Sequence, residues 1–65
     1  MPSNSDVVRA LLSLKMSYVS IRRLTETLRT QGVADEGVTF GAITAWDKAI
    51  ELIDLEVARL EALDA

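Results

Sequence analysis

The amino-acid sequence predicts an all-α protein, an antiparallel helical hairpin of two long amphipathic helices that dimerises into a four-helix bundle. Apolar residues recur at alternating spacings of three and four residues in both halves of the chain, on either side of a short segment with two glycines. The chain, 1–65, is predicted to be one helical-hairpin domain, with helices over about 5–31 and about 39–64 and a loop over about 32–38.

The length of the chain makes self-association the expected source of stability. A domain of 65 residues buries only about 60% of the surface that its unfolded chain exposes. Small domains gain stability from disulfides, a metal or oligomerisation, and this sequence has no cysteine and no histidine. Apolar residues make up 49% of the chain and aromatic residues only 5%, a composition that suits packing between helices. We therefore expect a homodimer or a larger assembly.

The first helix is predicted from an apolar stripe that begins near residue 7. Ser3, Asn4 or Ser5 can cap its start. The segment 16–20 contains two serines and a β-branched valine, so a break with Ser20 capping a new helix is the alternative to one continuous helix. The stripe passes through this segment without a slip, which favours continuity. Its members are Val7, Leu11, Leu14, Tyr18, Ile21, Thr25 and Leu28.

The turn and the second helix are predicted from the residues that follow. Gly32 can adopt the left-handed conformation that ends a helix, and Gly37 continues the turn. Thr39 is the expected N-cap of the second helix. The apolar stripe then repeats at Ile43, Trp46, Ile50, Ile53, Val57 and Leu60.

The core of the hairpin and of its dimer is predicted from these two stripes. Two helices cannot cover both wide stripes by themselves, whereas two hairpins can. In size and design the arrangement resembles the small antiparallel helical-hairpin dimers of the Rop type of plasmid regulator, a resemblance of architecture that implies a four-helix bundle. The predicted core residues are Leu11, Leu14, Tyr18, Ile21, Leu28, Ile43, Trp46, Ile50, Ile53, Val57 and Leu60.

Charge is divided unevenly between the two halves. Residues 1–31 carry a net charge of +3 and the remainder −6. One interpretation is that a basic ribbon on the first helix pairs with an acidic ribbon on the second, formed by Asp47, Glu51, Asp54 and Glu61. The other is that the chain presents a basic face to an anionic ligand or an acidic face to a basic partner. The predicted partner-binding residues are Lys15, Arg22, Arg23 and Arg29.

The segment 28–46, LRTQGVADEGVTFGAITAW, supports a competing hypothesis. Its spacing of glycine, valine, threonine, isoleucine and tryptophan resembles the helix-turn-helix segments of some transposases and plasmid regulators, which implies DNA binding. A recognition helix presents Arg, Lys, Asn or Gln to base edges from its first turns, and none lies between residues 36 and 46. Asp47 and Glu51 would in addition repel phosphate. The composition therefore favours a plain hinge.

The function expected from these observations is that of a small non-enzymatic regulatory or adaptor protein, such as an inhibitor or accessory factor of a phage or plasmid. It would act as a homodimer that binds another protein. The alternatives are a helix-turn-helix transcription regulator and RNA or nucleotide binding through Arg22, Arg23 and Arg29. No cofactor, metal or catalytic residue is expected, because no nucleophile–base or ligand cluster is present. We expect a cytoplasmic protein without a membrane segment or a secretory signal.

Overall fold

A computed structural model of the chain describes residues 3–33 and 35–64. Helix α1 runs over Asn4–Thr30 and helix α2 over Glu36–Asp64. The two helices pack against each other along their lengths as an antiparallel hairpin that measures 46 × 16 × 14 Å. Its radius of gyration is 14.8 Å, against about 11 Å for a compact domain of this length. The predicted all-α hairpin is therefore confirmed, and its shape is elongated.

The start of α1 is held by a capping box. The backbone N–H of Asp6 donates to the Ser3 hydroxyl at 3.2 Å, and the backbone N–H of Ser3 donates to the Asp6 carboxylate at 3.3 Å. These two bonds satisfy donors that the first turn of a helix leaves without partners. Of the three caps that the sequence allows, the structure uses Ser3.

Helix α1 continues through residues 16–20 without a break. The Ser17 hydroxyl donates to the backbone carbonyl of Ser13, one turn earlier, at 3.4 Å. A serine that bonds back to its own helix no longer competes with the helical backbone for hydrogen bonds. The continuous apolar stripe thus predicts the unbroken helix correctly, whereas the weak helix propensity of this segment does not.

Gly32 ends α1, as the sequence predicts. Its φ of +68° lies in the left-handed region, where glycine carries no steric penalty. The backbone N–H of Gly32 donates to the Arg29 carbonyl and that of Val33 to the Leu28 carbonyl, both at 3.1 Å. This pair of bonds is a Schellman motif, which satisfies carbonyls at the end of the helix.

The prediction that Thr39 caps the second helix is wrong. Helix α2 begins three residues earlier, at Glu36, and the Asp35 carboxylate caps it by accepting the backbone N–H of Val38 at 3.1 Å. Thr39 is only 4% exposed, and its hydroxyl donates to the backbone carbonyls of Asp35 and Glu36. Aspartate caps a helix at least as well as threonine, and the earlier start lets α2 bury Thr39. Ala34, in the turn, lies outside the described residues.

The core of the hairpin is small and one-sided. Its fully buried apolar residues all belong to α2, and no described residue of α1 is fully buried. No described side chain is less than 2% exposed. No helix in the described parts of the chain has an apolar stretch long enough to span a membrane. The buried apolar residues are Ile43, Ile53, Val57 and Leu60.

Replacing Gly32 with alanine should destabilise the protein by about 1–2 kcal/mol, because an L side chain is strained at this φ. A Cβ at Gly32 meets no atom within 4 Å, so any loss comes from the backbone alone. Gly41, inside α2, is the matched control. It also has open space around it, and Gly41→Ala should stabilise by about 0.5–1 kcal/mol. Urea unfolding at one fixed protein concentration measures both, and equal effects would contradict the left-handed turn.

Candidate functional site

One long edge of the hairpin carries ion pairs between the helices. The Lys15 ammonium lies 2.8 Å from the Asp54 carboxylate, and the Arg22 Nε lies 2.5 Å from the Asp47 carboxylate. The two pairs are seven residues apart on each helix and run in opposite directions, as antiparallel packing requires. We call this edge, formed by Lys15, Arg22, Asp47 and Asp54, the polar edge. The basic and acidic ribbons therefore pair in part, at Lys15 and Arg22, whereas Arg29 and Glu51 form ion pairs within their own helices.

The polar edge adds little to the stability of the hairpin. All four side chains are a third to a half exposed, and exposed ion pairs contribute only about 0–1 kcal/mol each. The hydrogen bond and charge of Asp47 raise the pKa of the Arg22 guanidinium above its ordinary value. Arg22 therefore stays charged at physiological pH.

The four predicted partner-binding residues have different surroundings. Lys15 and Arg22 belong to the polar edge, and Arg29 lies 3.5 Å from Glu26 on its own helix. Arg23 is exposed and makes no ion pair with any residue of 3–33 or 35–64. The structure does not bring the four together into one site. Within the predicted set, Arg23 is the residue best placed to meet a partner.

Arg23 borders a shallow depression of about 270 Å³ on the outer surface of α1. Arg22 and Arg23 stand side by side there, and Glu26 is its only acidic neighbour. Glu26 already interacts with Arg29, so the depression keeps a positive character. Its other lining residues are Val19, Thr27 and Thr30.

The predicted core residues divide into three groups by burial. Tyr18 and Trp46 stack in the seam with ring centroids 5.5 Å apart, a distance typical of attractive aromatic pairs. The buried group is Ile43, Ile53, Val57 and Leu60. The half-buried group is Leu11, Tyr18, Leu28, Trp46 and Ile50, and the exposed group is Leu14 and Ile21.

The exposed core residues share one side of the hairpin. On α1, Leu14 and Lys15 project on opposite sides of the contact with α2. On α2, Leu52 and Asp54 project on opposite sides of the buried Ile53. The side away from the polar edge is therefore apolar. We call it the apolar flank, and its large exposed members are Leu14, Ile21, Leu24 and Leu52.

Two charged pairs lie near Leu52 of the apolar flank on α2, Lys48 with Glu51 and Glu56 with Arg59. The Arg59 guanidinium donates to the Glu56 carboxylate, and this hydrogen bond holds the pKa of Glu56 below its ordinary value. In both pairs the two charges compensate each other within one turn of the helix. The flank can therefore be covered by another apolar surface without leaving an isolated charge.

The pairing of the polar edge ends before the turn. The next seven-residue step on each helix sets Arg29 opposite Phe40, which has no charge and is 64% exposed. Arg29 turns to Glu26 instead, and its Nε is buried without an acceptor in the described residues. Sequence reasoning missed this mismatch, although the step from Asp54 to Asp47 leads directly to Phe40.

Comparison with profiles of protein families, with curated proteins and with solved structures finds no match to this chain. Within residues 3–33 and 35–64, no three metal-binding side chains converge.

Replacing Phe40 with glutamate should give Arg29 a partner across the hairpin and stabilise the protein by about 0.5 kcal/mol. Glutamate also has a better helix propensity than phenylalanine and is favourable near the start of a helix, so part of any gain in stability is independent of Arg29. The same substitution in an Arg29→Met background isolates that part. A stability gain of the same size in both backgrounds, measured by urea unfolding, would contradict the proposed register.

Proposed function

We propose that this protein is a small non-enzymatic regulator or adaptor that works as a homodimer and binds another protein. The observation that carries the proposal is the apolar flank. Leu24, for example, is 59% exposed in the hairpin, and the flank combines such side chains from both helices. Soluble proteins seldom expose a continuous apolar strip of this kind unless another surface covers it.

The exposed area supports a second copy as the partner on this flank. The accessible surface of the hairpin is 4753 Å², whereas a compact monomer of this mass has about 4,100 Å². The excess is of the same order as the roughly 800 Å² that one protein buries in an interface of standard size. Two hairpins packed flank to flank form a four-helix bundle, which also gives α1 the buried contacts that it lacks within one chain.

The distribution of charge supports the same arrangement. The polar edge lies on the side away from the apolar flank, so in a flank-to-flank dimer its ion pairs stay in water. Keeping them hydrated avoids the desolvation cost of burying four charges. The charges nearest the flank compensate each other in pairs, Glu56 with Arg59 and Lys48 with Glu51.

The DNA-binding alternative has less geometric support. A helix-turn-helix sets its two helices at roughly 90–120° across a turn of three to four residues, whereas α1 and α2 run side by side. Thr39 is buried at the start of α2 rather than available to bases. RNA or nucleotide binding through Arg22, Arg23 and Arg29 would compete with the ion pairs of two of those arginines.

Replacing Leu24 with glutamate should dissociate the dimer, raising its dissociation constant at least about a hundredfold, because two leucines leave the interface and two charges enter it. Because the hairpin folds as it assembles, dissociation should also lower its helical content. Leu12→Glu is the matched control, since Leu12 lies on the other side of α1 and is also exposed.

Sedimentation equilibrium with circular dichroism checks this expectation. The unaltered protein and Leu12→Glu should sediment as helical dimers and Leu24→Glu as a monomer with lower helical content. A folded monomer of the unaltered protein at micromolar concentration would refute the homodimer. If Leu24→Glu and Leu12→Glu both sediment as dimers, the apolar flank is not the interface.

A further inference from the structure

We propose that the outer face of α1 binds an acidic amphipathic helix of the partner protein. This face carries a second regular stripe, with Arg9, Leu12, Met16, Val19 and Arg23 at spacings of three and four residues. The inference rests on the proposed function, since it names the surface and the chemistry of protein binding. We call these five residues the outer stripe.

The outer stripe is separate from both other surfaces of α1. Leu12 and Leu14 are two positions apart and therefore point about 160° away from each other on the helix. Leu12 is 42% exposed and Met16 71% exposed, so neither is covered by α2. A flank-to-flank dimer leaves the stripe in solvent. Val19 is half-buried, whereas Leu12 and Met16 form an exposed apolar strip that no described residue covers.

The ends of the outer stripe are basic. Arg9 and Arg23 are exposed and have no ion-pair partner among residues 3–33 and 35–64. They lie fourteen positions apart, which is about 21 Å along a helix. The depression beside Arg23 offers room for a side chain. Its other charged lining residues, Arg22 and Glu26, already interact with Asp47 and Arg29, so Arg23 provides the charge that a partner meets there. The charge at both ends of the stripe selects for carboxylates.

An acidic amphipathic helix matches these features. Partner helices that dock on such surfaces use apolar anchors at positions i, i+3 or i+4 and i+7, and three to four turns cover the length of the stripe. Carboxylates at its ends would pair with Arg9 and Arg23, and arginine binds a carboxylate through two parallel hydrogen bonds. Met16, at the centre, has an unbranched side chain that adapts to different apolar anchors.

A nucleic acid fits this face less well than a peptide does. Phosphate binding needs several cations along one track, whereas the middle of the outer stripe is Leu12, Met16 and Val19. The chain as a whole is acidic, with a net charge of −3. Two arginines separated by three apolar residues suit a helix better than a phosphate backbone.

A displayed library of random 20-residue peptides, selected on the immobilised full-length protein, tests the inference. The selected peptides should carry net negative charge and apolar residues at helical spacing. Fluorescence anisotropy of a synthesised peptide from the selection then measures its affinity for variants. Arg23→Glu and Leu12→Glu should each weaken binding at least tenfold. Lys48→Glu, which makes the same change of charge on an exposed part of α2, should change it less than twofold.

Three outcomes would overturn the inference. Selection could return no binding peptide or only peptides without an acidic bias, or Arg23→Glu could bind the selected peptide as well as the unaltered protein. Mixed-sequence RNA or duplex DNA could bind with the same dependence on Arg23 while the acidic peptides do not. Sedimentation of the same variants separates this result from the homodimer. If the protein sediments as a monomer but binds acidic peptides through Arg23, the homodimer is refuted and the outer-stripe site is retained. If it sediments as a dimer and binds no acidic peptide, the outer-stripe site is refuted and the homodimer is retained.

Discussion

Each helix of this hairpin has an apolar surface wider than one neighbouring helix can cover. The pattern of burial follows from this constraint. Four apolar side chains of α2 are buried, while no described residue of α1 is fully buried. A helix with apolar residues on two sides needs two neighbours. We propose that this second neighbour is another copy of the hairpin. The proposed homodimer is the arrangement that supplies it.

The short turn fixes the direction and register of the hairpin, because residues 31–35 alone join α1 to α2. Leucine, isoleucine and valine pack acceptably in several registers, and a shift by one heptad would cost little in burial. The ion pairs of the polar edge do not exclude such a shift, since in one direction it sets Lys15 opposite Glu61, Arg22 opposite Asp54 and Arg29 opposite Asp47. Each exposed pair contributes only about 0–1 kcal/mol. In the proposed homodimer the pairs lie on the side that stays in water.

Features that depend on backbone conformation and on the spacing of apolar residues along one helix were predictable from the sequence. Gly32 ends α1 because its neighbours are helical and only glycine enters the left-handed region at low cost. The stripe through residues 16–20 predicted a continuous helix. The start of α2 was not predictable in the same way, because Asp35 and Thr39 are both good caps. The choice depends on the burial of Thr39 against α1, which is a tertiary contact. Phe40 opposite Arg29 was missed because it requires the register of both helices.

The exposed surfaces divide according to what they could bind. The apolar flank lacks uncompensated charge and suits an identical surface, whereas the outer stripe combines apolar residues with Arg9 and Arg23 and suits a partner of opposite charge. Of the predicted partner-binding residues, only Arg23 lies in the outer stripe. Sequence reasoning identified the basic residues but could not tell which of them the hairpin uses itself. That distinction needs the distances of the polar edge.

The dependence of stability on protein concentration tests the central claim most directly. In a homodimer that folds as it assembles, a hundredfold dilution lowers the free energy of unfolding by about 2.7 kcal/mol per dimer. Urea unfolding followed by circular dichroism at two concentrations a hundredfold apart should therefore show a lower midpoint in the dilute sample. The same midpoint at both concentrations, with helical content unchanged, would mean that the hairpin is stable alone. That result would contradict the claim that each hairpin needs a second chain to cover its apolar surface.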